Sequence, residues 1–520
     1  MCARDDRARS LPRAADRRPG DRSSRTRRRG ERARRLAAFD TPLPARDGRV
    51  GQRNGGRRLS IGDARRRHIR TDGLRVTSDP GTAPAAATPI QQTVDGLAFG
   101  RFHARVLALV AAVILLDGFD IQLAAFAAPA ILADWGIGSA ALAPVMAASL
   151  VGMAFGTSIG GRIGDRFGRR PALIGAVLWF GAAAILTALC TDVTSFSILR
   201  FVTGLGLGAA VPNATALIAE WMPVRARNYA VTVISVGVPC GGIIGAAIAS
   251  WLIPAYGWPA AFLLGGALPL LLSIVMLWGL PESPILLARR GGSDDRIAAM
   301  IADAGGSAPG PFAPPPSIAD GEHVFGPALR RSTIGMGIAF FAALMGVYAL
   351  LSWVPVLLSG AGFPMDRAIR GAMILNLSGV TASFALTWLM LRIGSRKTLI
   401  GTVCAGAAAL ALWATLLHMP GASPAVILLG LALTGATILS LQVLLLTLSA
   451  HVFPVECRAA GIGYSITFGR LGAILSAFGA GVLLAQPHGR LLFFAMVAAA
   501  LVILAMGAML IDRHLPARPR

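Results

Sequence analysis

The sequence is poor in charged residues and has no paired cysteine motif. Only 14% of its 520 residues are charged, whereas soluble proteins carry about 25%, so a water-soluble domain is excluded for most of the chain. The five cysteines are scattered without CxxC spacing, which indicates neither a metal site nor a disulfide framework. No P-loop, HExxH or nucleophile-elbow motif occurs, so we expect no enzyme, no cofactor and no ATP-driven process.

Acidic residues are also scarce near the N-terminus, where residues 1–75 hold 24 arginines against nine acids, a net charge of +15. This segment has no apolar stretch suited to a signal peptide, and its composition cannot form a core. We therefore interpret residues 1–98 as a disordered Arg-rich extension. An arm for nucleic acid or anionic lipid would have this composition. Translated upstream DNA of a GC-rich genome would have it too, and we expect no nucleic-acid partner.

Long apolar runs are abundant, and 54% of the residues are hydrophobic. From residue 106 onward, each run of about 20 residues is long enough to cross a hydrocarbon layer of ~30 Å. The sequence therefore predicts an all-α membrane protein with twelve transmembrane helices. The predicted spans are 106–130, 141–161, 171–191, 197–220, 228–252, 258–280, 333–358, 370–391, 398–418, 424–449, 460–484 and 490–512.

Arginines are concentrated in the even-numbered connections between these spans, and the odd-numbered connections are nearly free of them. Cytoplasmic loops of membrane proteins carry such an excess of positive charge. The pattern therefore predicts a multi-pass protein of the inner (plasma) membrane with both termini in the cytoplasm.

The two halves of the chain repeat each other. Three short motifs recur in the same order at an offset of 230 or 231 residues, namely RIGDR at 162–166 and RIGSR at 392–396, TG at 203–204 and 434–435, and PVRAR at 223–227 and PVECR at 454–458. Parallel repeats of this kind place a substrate site between the halves near the membrane midplane. We predict a six-helix lobe at 99–282, a Gly- and Pro-rich cytoplasmic linker at 283–330, a second six-helix lobe at 331–512 and a cytoplasmic tail at 513–520.

Several segments resemble a known family. GRIGDRFGRR at 161–170 resembles the loop between the second and third helices of the major facilitator superfamily. Four further segments make residues 100–512 similar to the aromatic acid:proton symporter family. The resemblance implies the major facilitator fold, with two pseudo-symmetric six-helix bundles, and proton-coupled uptake of small aromatic carboxylates by alternating access. The four segments are LLDGFDIQ at 115–122, RFVTGLGLGAAVPNATALIAE at 200–220, LPESP at 280–284 and RAAGIGYSITFGRLGAI at 458–474.

Two carboxylates stand out in the first span. Asp117 and Asp120 are three residues apart and near the bilayer centre, where an ionised Asp costs about 2.5 to 3.5 kcal/mol. Burial and mutual repulsion favour their protonated forms, so we predict that the pair carries the coupled proton. Alternatively, one of them only pairs with an arginine to hold helices together.

Three further ionisable residues are candidates within the spans. Arg470 lies near the midplane, where a guanidinium can hold a carboxylate through two parallel hydrogen bonds. We predict that it binds the substrate anion; a permanent salt bridge to Asp117 or Asp120 is the alternative. Arg200 and Glu220, at opposite ends of the fourth span, could act in gating, although snorkelling to the interface explains either residue.

Polar and aromatic side chains complete the predicted substrate site. Asn213 and Gln442 could donate hydrogen bonds to ring hydroxyls, or could join helices. By the offset of 231, Tyr348 falls opposite Asp117, with Trp353 five residues further on. Both could stack on an aromatic substrate, or could belong to packing or interface belts.

The first cytoplasmic loop is predicted to be a conformational latch. Asp165 could accept hydrogen bonds from arginines or from a helix N-terminus in one state and lose them in the other, and Gly164 would allow close packing. Ser395 replaces the acid expected at the corresponding position of the second half. The other residues assigned to gating are Gly161, Arg166, Gly168, Arg169, Arg170 and Arg458.

Other functions remain open from the sequence. A facilitator for another organic acid, a drug exporter, or a non-transporting membrane receptor or scaffold that uses the basic extension would share many of these features. We expect a monomer in the lipid bilayer, with a small aromatic carboxylate and protons as its only other partners.

Overall fold

The computed structural model describes residues 88–307, 310–313, 324–327, 329–454 and 457–516. Most of the predicted extension, including all of residues 1–75, lies outside these ranges, as do the last four residues of the tail. The disorder and the basic arm predicted there remain predictions.

Twelve of the described helices are long and apolar enough to span a membrane, which confirms the predicted number. Their ends extend past most predicted spans, because flanking polar residues such as Arg101 and Arg330 continue the helices. The spanning helices are α2 (Arg101–Trp135), α3 (Ser139–Phe167), α4 (Arg169–Thr187), α5 (Val193–Trp221), α6 (Val224–Tyr256), α7 (Trp258–Gly279), α10 (Arg330–Gly360), α11 (Met365–Ile393), α12 (Ser395–His418), α13 (Pro424–Val452), α14 (Arg458–Leu484) and α15 (Gly489–Met509).

Consecutive spanning helices alternate in direction, so the bundle has two ends. We name the end that carries residues 279–330 the linker end, and the opposite end the far end. At the far end, Asp192 is the N-cap of α5. Its carboxylate accepts hydrogen bonds from the backbone amides of Thr194 and Ser195, at 2.8 and 3.0 Å. Such caps satisfy amides that have no partner within the helix, and hydrogen bonds from Ser195 hold the pKa of Asp192 below its usual value.

Small residues allow the helices of each half to pack closely. In the first half, α2 packs on α6 and α3 packs on α5; in the second half, α10 packs on α14 and α11 packs on α13. A Cβ at Gly118 would lie 2.1 Å from the Val238 carbonyl oxygen, and one at Gly472 would lie 2.0 Å from that of Phe341. Equivalent helix pairs therefore meet in the two halves, as the sequence repeat predicts, and the two pseudo-symmetric six-helix bundles are confirmed.

The lobes meet mainly along three pairs of helices, α2 with α10, α3 with α14 and α6 with α11, and α2 also contacts α11. At the far end, a Cβ at Gly481 of α14 would lie 2.7 Å from Ala143 Cβ of α3 and 2.5 Å from the Trp353 ring of α10. The lobes are therefore in close contact at this end.

Residues 88–98 and the described parts of the linker, 283–307 and 310–313, contain more secondary structure than the sequence predicts. Here β1 (Thr88–Pro89) pairs in parallel with β2 (Phe312–Ala313), and three short helices pack around the strands. The prediction failed because Ile90 and Val94, like Ile297 and Ile301, follow a four-residue helical spacing in segments that are otherwise polar. These four side chains form a small apolar cluster with Ile285 and Phe312, apart from the main core. The helices are α1 (Ile90–Asp95), α8 (Pro284–Arg289) and α9 (Asp294–Asp303).

Candidate functional site

A fully buried ion pair lies inside the first lobe. Arg200 of α5 donates from Nη1 to Asp120 Oδ2 and from Nη2 to the Asp120 carbonyl oxygen, both at 2.9 Å. Both side chains have zero exposure, so the snorkelling explanation for Arg200 is wrong. The arginine partner considered for Asp120 in the sequence analysis was Arg470, and the structure places Arg200 there instead. Removing one member of such a pair leaves an uncompensated charge in the membrane.

Asp117, one turn earlier on α2, is in a different situation. Its side chain is 1% exposed, and its Oδ1 makes no hydrogen bond to any residue that the structure describes. Asp117 interacts electrostatically with Arg470 of α14, and Tyr348 of α10 is close enough to interact with both. The offset of 231 therefore placed Tyr348 correctly next to Asp117. The three residues come from both lobes and meet where the lobes contact each other.

Arg470 also reaches across the interface between the lobes. Its Nη1 donates to the Met153 carbonyl oxygen at 3.2 Å and to Thr157 Oγ1, both on α3. Within the described part of the chain, Nε and Nη2 of Arg470 donate no hydrogen bond. The guanidinium is thus fixed through one nitrogen, and the other two nitrogens, Nε and Nη2, are left to bind an anion.

A small cleft, with room for about one water molecule in this conformation, lies on the far-end side of the cluster; Tyr348 lines it, and Asp117 and Arg470 do not. Its walls are mainly apolar, and four polar side chains interrupt them. This composition is typical of a site that encloses an apolar molecule and orients it through a few polar groups. The polar lining residues are Gln122, Ser149, Arg200 and Ser352, and Tyr348 is the aromatic one.

The sequence analysis missed a polar contact between the lobes at this level. Asn376 of α11 donates from Nδ2 to Gln122 Oε1 of α2 at 2.8 Å, and both side chains are buried. Gln122 belongs to the quoted LLDGFDIQ segment, but Asn376 lies in no repeated motif. The only feature of the sequence that could have pointed to Asn376 is its polar amide inside an apolar span. Asn213 and Gln442 have the same feature, so it does not single out Asn376.

Three predicted substrate-binding residues are not brought to this cleft. Trp353 is fully buried and donates from Nε1 to the Ala477 carbonyl oxygen at 2.9 Å, so it packs α10 against α14. Asn213 donates to the Gly160 carbonyl oxygen at 2.9 Å and joins α5 to α3. Gln442 of α13 is half-buried and is not among the cleft residues. Trp353 and Asn213 therefore hold helices together, which is the alternative role considered for each of them.

The loop between α3 and α4 forms a charged cluster at the linker end. Arg169 binds Asp165 at 2.6 Å, and Glu220, at the end of α5, lies 3.9 Å from Arg169. The carboxylate that accepts hydrogen bonds from the N-terminus of α4 is Glu282, and the sequence analysis had considered Asp165 for this role. Glu282 Oε1 accepts from the amides of Arg169 and Arg170 at 2.9 and 3.1 Å. An anion at this position is stabilised by the helix dipole.

The other predicted gating arginines make local contacts. Arg166 lies over the Phe167 ring at 5.5 Å, and Arg170 donates to the Leu277 carbonyl oxygen. Arg458 donates to the Phe453 carbonyl oxygen at 3.3 Å. These contacts fix the ends of helices, and a gating role for these residues stays a prediction.

Gly168 is expected to be essential for the stability of this loop. Its φ of +123° is a conformation that side chains rarely adopt, and a Cβ would lie 2.3 Å from Glu282 Oε2. Gly168→Ala should therefore destabilise the protein by about 1 to 3 kcal/mol, measured as a lower temperature at which the detergent-purified protein loses its monodisperse peak. Gly161→Ala is the matched control, because a Cβ there meets no atom within 4 Å. Equal thermal stability of the two variants would contradict the prediction.

Comparison with known proteins agrees with this architecture. The sequence profile of the Major Facilitator Superfamily matches residues 110–477. A 4-hydroxybenzoate transporter of Pseudomonas putida (PcaK) is 35% identical over 404 residues, which cover 76% of this chain and 89% of the relative. A gallate transporter of Pseudomonas putida is 31% identical, with 81% and 96% covered. A 3-(3-hydroxy-phenyl)propionate transporter of Escherichia coli is 30% identical, with 72% and 86% covered.

Solved structures share the fold. A D-xylose-proton symporter superposes with a TM-score of 0.61 at 18% identity, over 77% of this chain and 97% of that one. A bacterial homologue of the lysosomal transporter Spinster gives a TM-score of 0.60 at 15% identity, over 80% and 97%. At these identities the likeness describes the fold alone.

Proposed function

This chain belongs to the Major Facilitator Superfamily, and from that premise we propose that it takes up small aromatic carboxylates together with protons. Membership in this family makes it a transporter and not an enzyme. The substrate class is supported by the relatives, three of which are named for hydroxylated aromatic acids. The receptor and drug-exporter alternatives have no comparable support.

One observation carries the proposal of proton coupling, namely the arrangement of Asp117, Tyr348 and Arg470. Asp117 is buried within the membrane-spanning region without a hydrogen bond to its Oδ1 from the described residues. Burying a charge at this depth costs free energy, and protonation of Asp117 lowers that cost because it neutralises the side chain. The arginine opposite it has donors left for a second anion.

We assign coupling to an exchange of partners at Arg470. When Asp117 is protonated, it no longer competes for the guanidinium, and the substrate carboxylate can take two hydrogen bonds from Nε and Nη2. When Asp117 loses its proton, it attracts Arg470 again and weakens the hold on the substrate. Proton and substrate then travel together, and Asp120, held by Arg200, acts as a positioning residue for this part of α2.

We propose that the linker end faces the cytoplasm, because arginines are concentrated in its loops. In that orientation the contact of Gly481 with Ala143 and Trp353 closes the periplasmic side. Alternating access then requires this contact to open while the cluster around Asp165 and Arg169 rearranges.

Uptake of labelled 4-hydroxybenzoate into proteoliposomes tests the proposal. With the interior alkaline, we expect the acid to accumulate above its external concentration, and an uncoupler should abolish the accumulation. Uptake that reaches only equilibrium and ignores the uncoupler would leave a facilitator without proton coupling. Failure to take up any hydroxybenzoate, with correctly inserted protein, would refute the substrate class.

A further inference from the structure

We propose that Gln122 and Asn376 recognise a hydroxyl group on the substrate ring, at the end opposite the carboxylate. This inference rests on the proposed function and goes beyond it, since it names the residues that select hydroxylated acids over unsubstituted ones. Both residues lie apart from the ionisable cluster, and they belong to different lobes.

The position of Gln122 fits the far end of a bound ring. It lies five residues after Asp117 on α2, which is ~7.5 Å along the helix. It lines the same cleft as Tyr348, whose phenol is close to Arg470. Once the lobes move apart, an aromatic acid whose carboxylate binds Arg470 would extend past Tyr348 and bring its para position to the level of Gln122, and Asn376, which does not line the cleft in this conformation, contacts Gln122 directly.

The hydrogen-bonding state of the amide pair fits a hydroxyl group. Asn376 Nδ2 is used by Gln122 Oε1 and by the Ala372 carbonyl oxygen, at 2.8 and 2.9 Å. Within the described residues, Gln122 Nε2 has no acceptor and Asn376 Oδ1 has no donor. The pair thus leaves one donor and one acceptor, and a hydroxyl can satisfy both because it donates and accepts.

The surroundings make these two groups selective. The cleft is lined largely by apolar side chains such as Ile121, Val145 and Leu351, and Ser149 and Ser352 are its other uncharged hydrogen-bonding residues besides Gln122 and Tyr348. Gly242 of α6 leaves space for the Gln122 amide, because a Cβ at this position would lie 2.0 Å from Gln122 Nε2. A methyl group in place of the hydroxyl would leave the amide groups unpaired in an apolar site, and this is how buried polar groups reject an isostere.

The first test uses the unaltered protein in proteoliposomes. Benzoate, 4-methylbenzoate and 4-hydroxybenzoate compete with labelled 4-hydroxybenzoate, and their inhibition constants are compared. Since two neutral hydrogen bonds to the hydroxyl are lost with the methyl group, the hydroxyl compound should bind about tenfold tighter than its methyl isostere. Equal inhibition by the methyl and hydroxyl compounds would overturn the proposal.

The second test removes both amides at once. Gln122→Met/Asn376→Leu replaces the pair by apolar groups of similar shape, which avoids leaving one buried amide unpaired. We expect the ratio of uptake efficiency for 4-hydroxybenzoate over benzoate to fall about tenfold, with benzoate uptake retained. An unchanged ratio, or an equal loss for both acids, would show that the pair only joins the lobes.

Ser383→Ala is the matched control. Ser383 lies on α11 like Asn376, but its buried hydroxyl bonds Ser440 Oγ of α13 at 3.2 Å, within one lobe, and it does not contact Gln122. Its removal should leave the ratio unchanged. Absence of uptake of both acids by the unaltered protein would instead count against the proposed function, so the two failures can be distinguished.

Discussion

Arg470→Lys is expected to lower the uptake efficiency for 4-hydroxybenzoate by about ten- to a hundredfold. A lysine keeps the charge, but it cannot offer Nε and Nη2 as a planar pair to a carboxylate. An ammonium that donated to the Met153 carbonyl oxygen and to Thr157 Oγ1, as Nη1 of Arg470 does, would have one N–H left for the substrate. Hydrogen bonds to a charged group contribute about 1.5 to 3 kcal/mol each, which gives this range. Initial uptake rates over a range of substrate concentrations measure the effect.

The control for Arg470→Lys is Arg490→Lys. Arg490 lies at the far end and donates to the Gly360 carbonyl oxygen outside the cleft, so the same change there should leave uptake efficiency as it is. The proposed contact with the substrate predicts a raised KM for the Arg470 variant. Wild-type KM with normal protein levels would exclude a two-bond contact between Arg470 and the carboxylate.

Features that repeat along the chain could be predicted from the sequence. The number of spanning helices follows from the length and hydropathy of the apolar runs. The correspondence between helices of the two lobes follows from the offset between the repeated motifs. The same offset led from Asp117 to Tyr348, because parallel repeats place equivalent positions opposite each other. A buried acid and a buried arginine at midplane depth were also sufficient to nominate Asp117 and Arg470, since such residues are expensive in lipid.

Partner choice could not be predicted in this way. Arg470 was the named candidate partner for Asp120, and Arg200 was placed at the end of its span; only the packing of α5 on α3 and α2 brings Arg200 to Asp120. The role of Glu282 depends on how the end of α7 returns to the start of α4, more than 110 residues earlier in the chain. The contact of Gln122 with Asn376 spans the lobes. Each of these needs a tertiary contact that no local pattern encodes.

The ionisable residues of the spans thus divide between two functions. Arg200 and Asp120 form an ion pair that is fully buried within one lobe, and we propose that their charges stay constant during transport. Asp117 and Arg470 lie on opposite lobes, and their distance changes whenever the lobes move. A proton that must appear on one side and leave on the other is better carried by the second pair, because its electrostatic environment depends on the conformation.

Asparagine substitutions of the two aspartates should therefore affect different properties: Asp117→Asn should impair proton-coupled transport, and Asp120→Asn should impair folding. Asp117→Asn removes no hydrogen bond of the described structure, so we expect normal protein levels, loss of proton-driven accumulation, and retained exchange of labelled for unlabelled acid.

Asp120→Asn leaves Arg200 buried without its counter-ion, which costs about 3 to 5 kcal/mol, so the amount of folded protein should fall. Asp120→Asn/Arg200→Met should recover most of that loss, because it removes both charges. Fluorescence-detected size-exclusion chromatography measures folding, and counterflow measures exchange. Proton-driven accumulation by Asp117→Asn, or wild-type stability of Asp120→Asn, would show that these roles are assigned to the wrong residues.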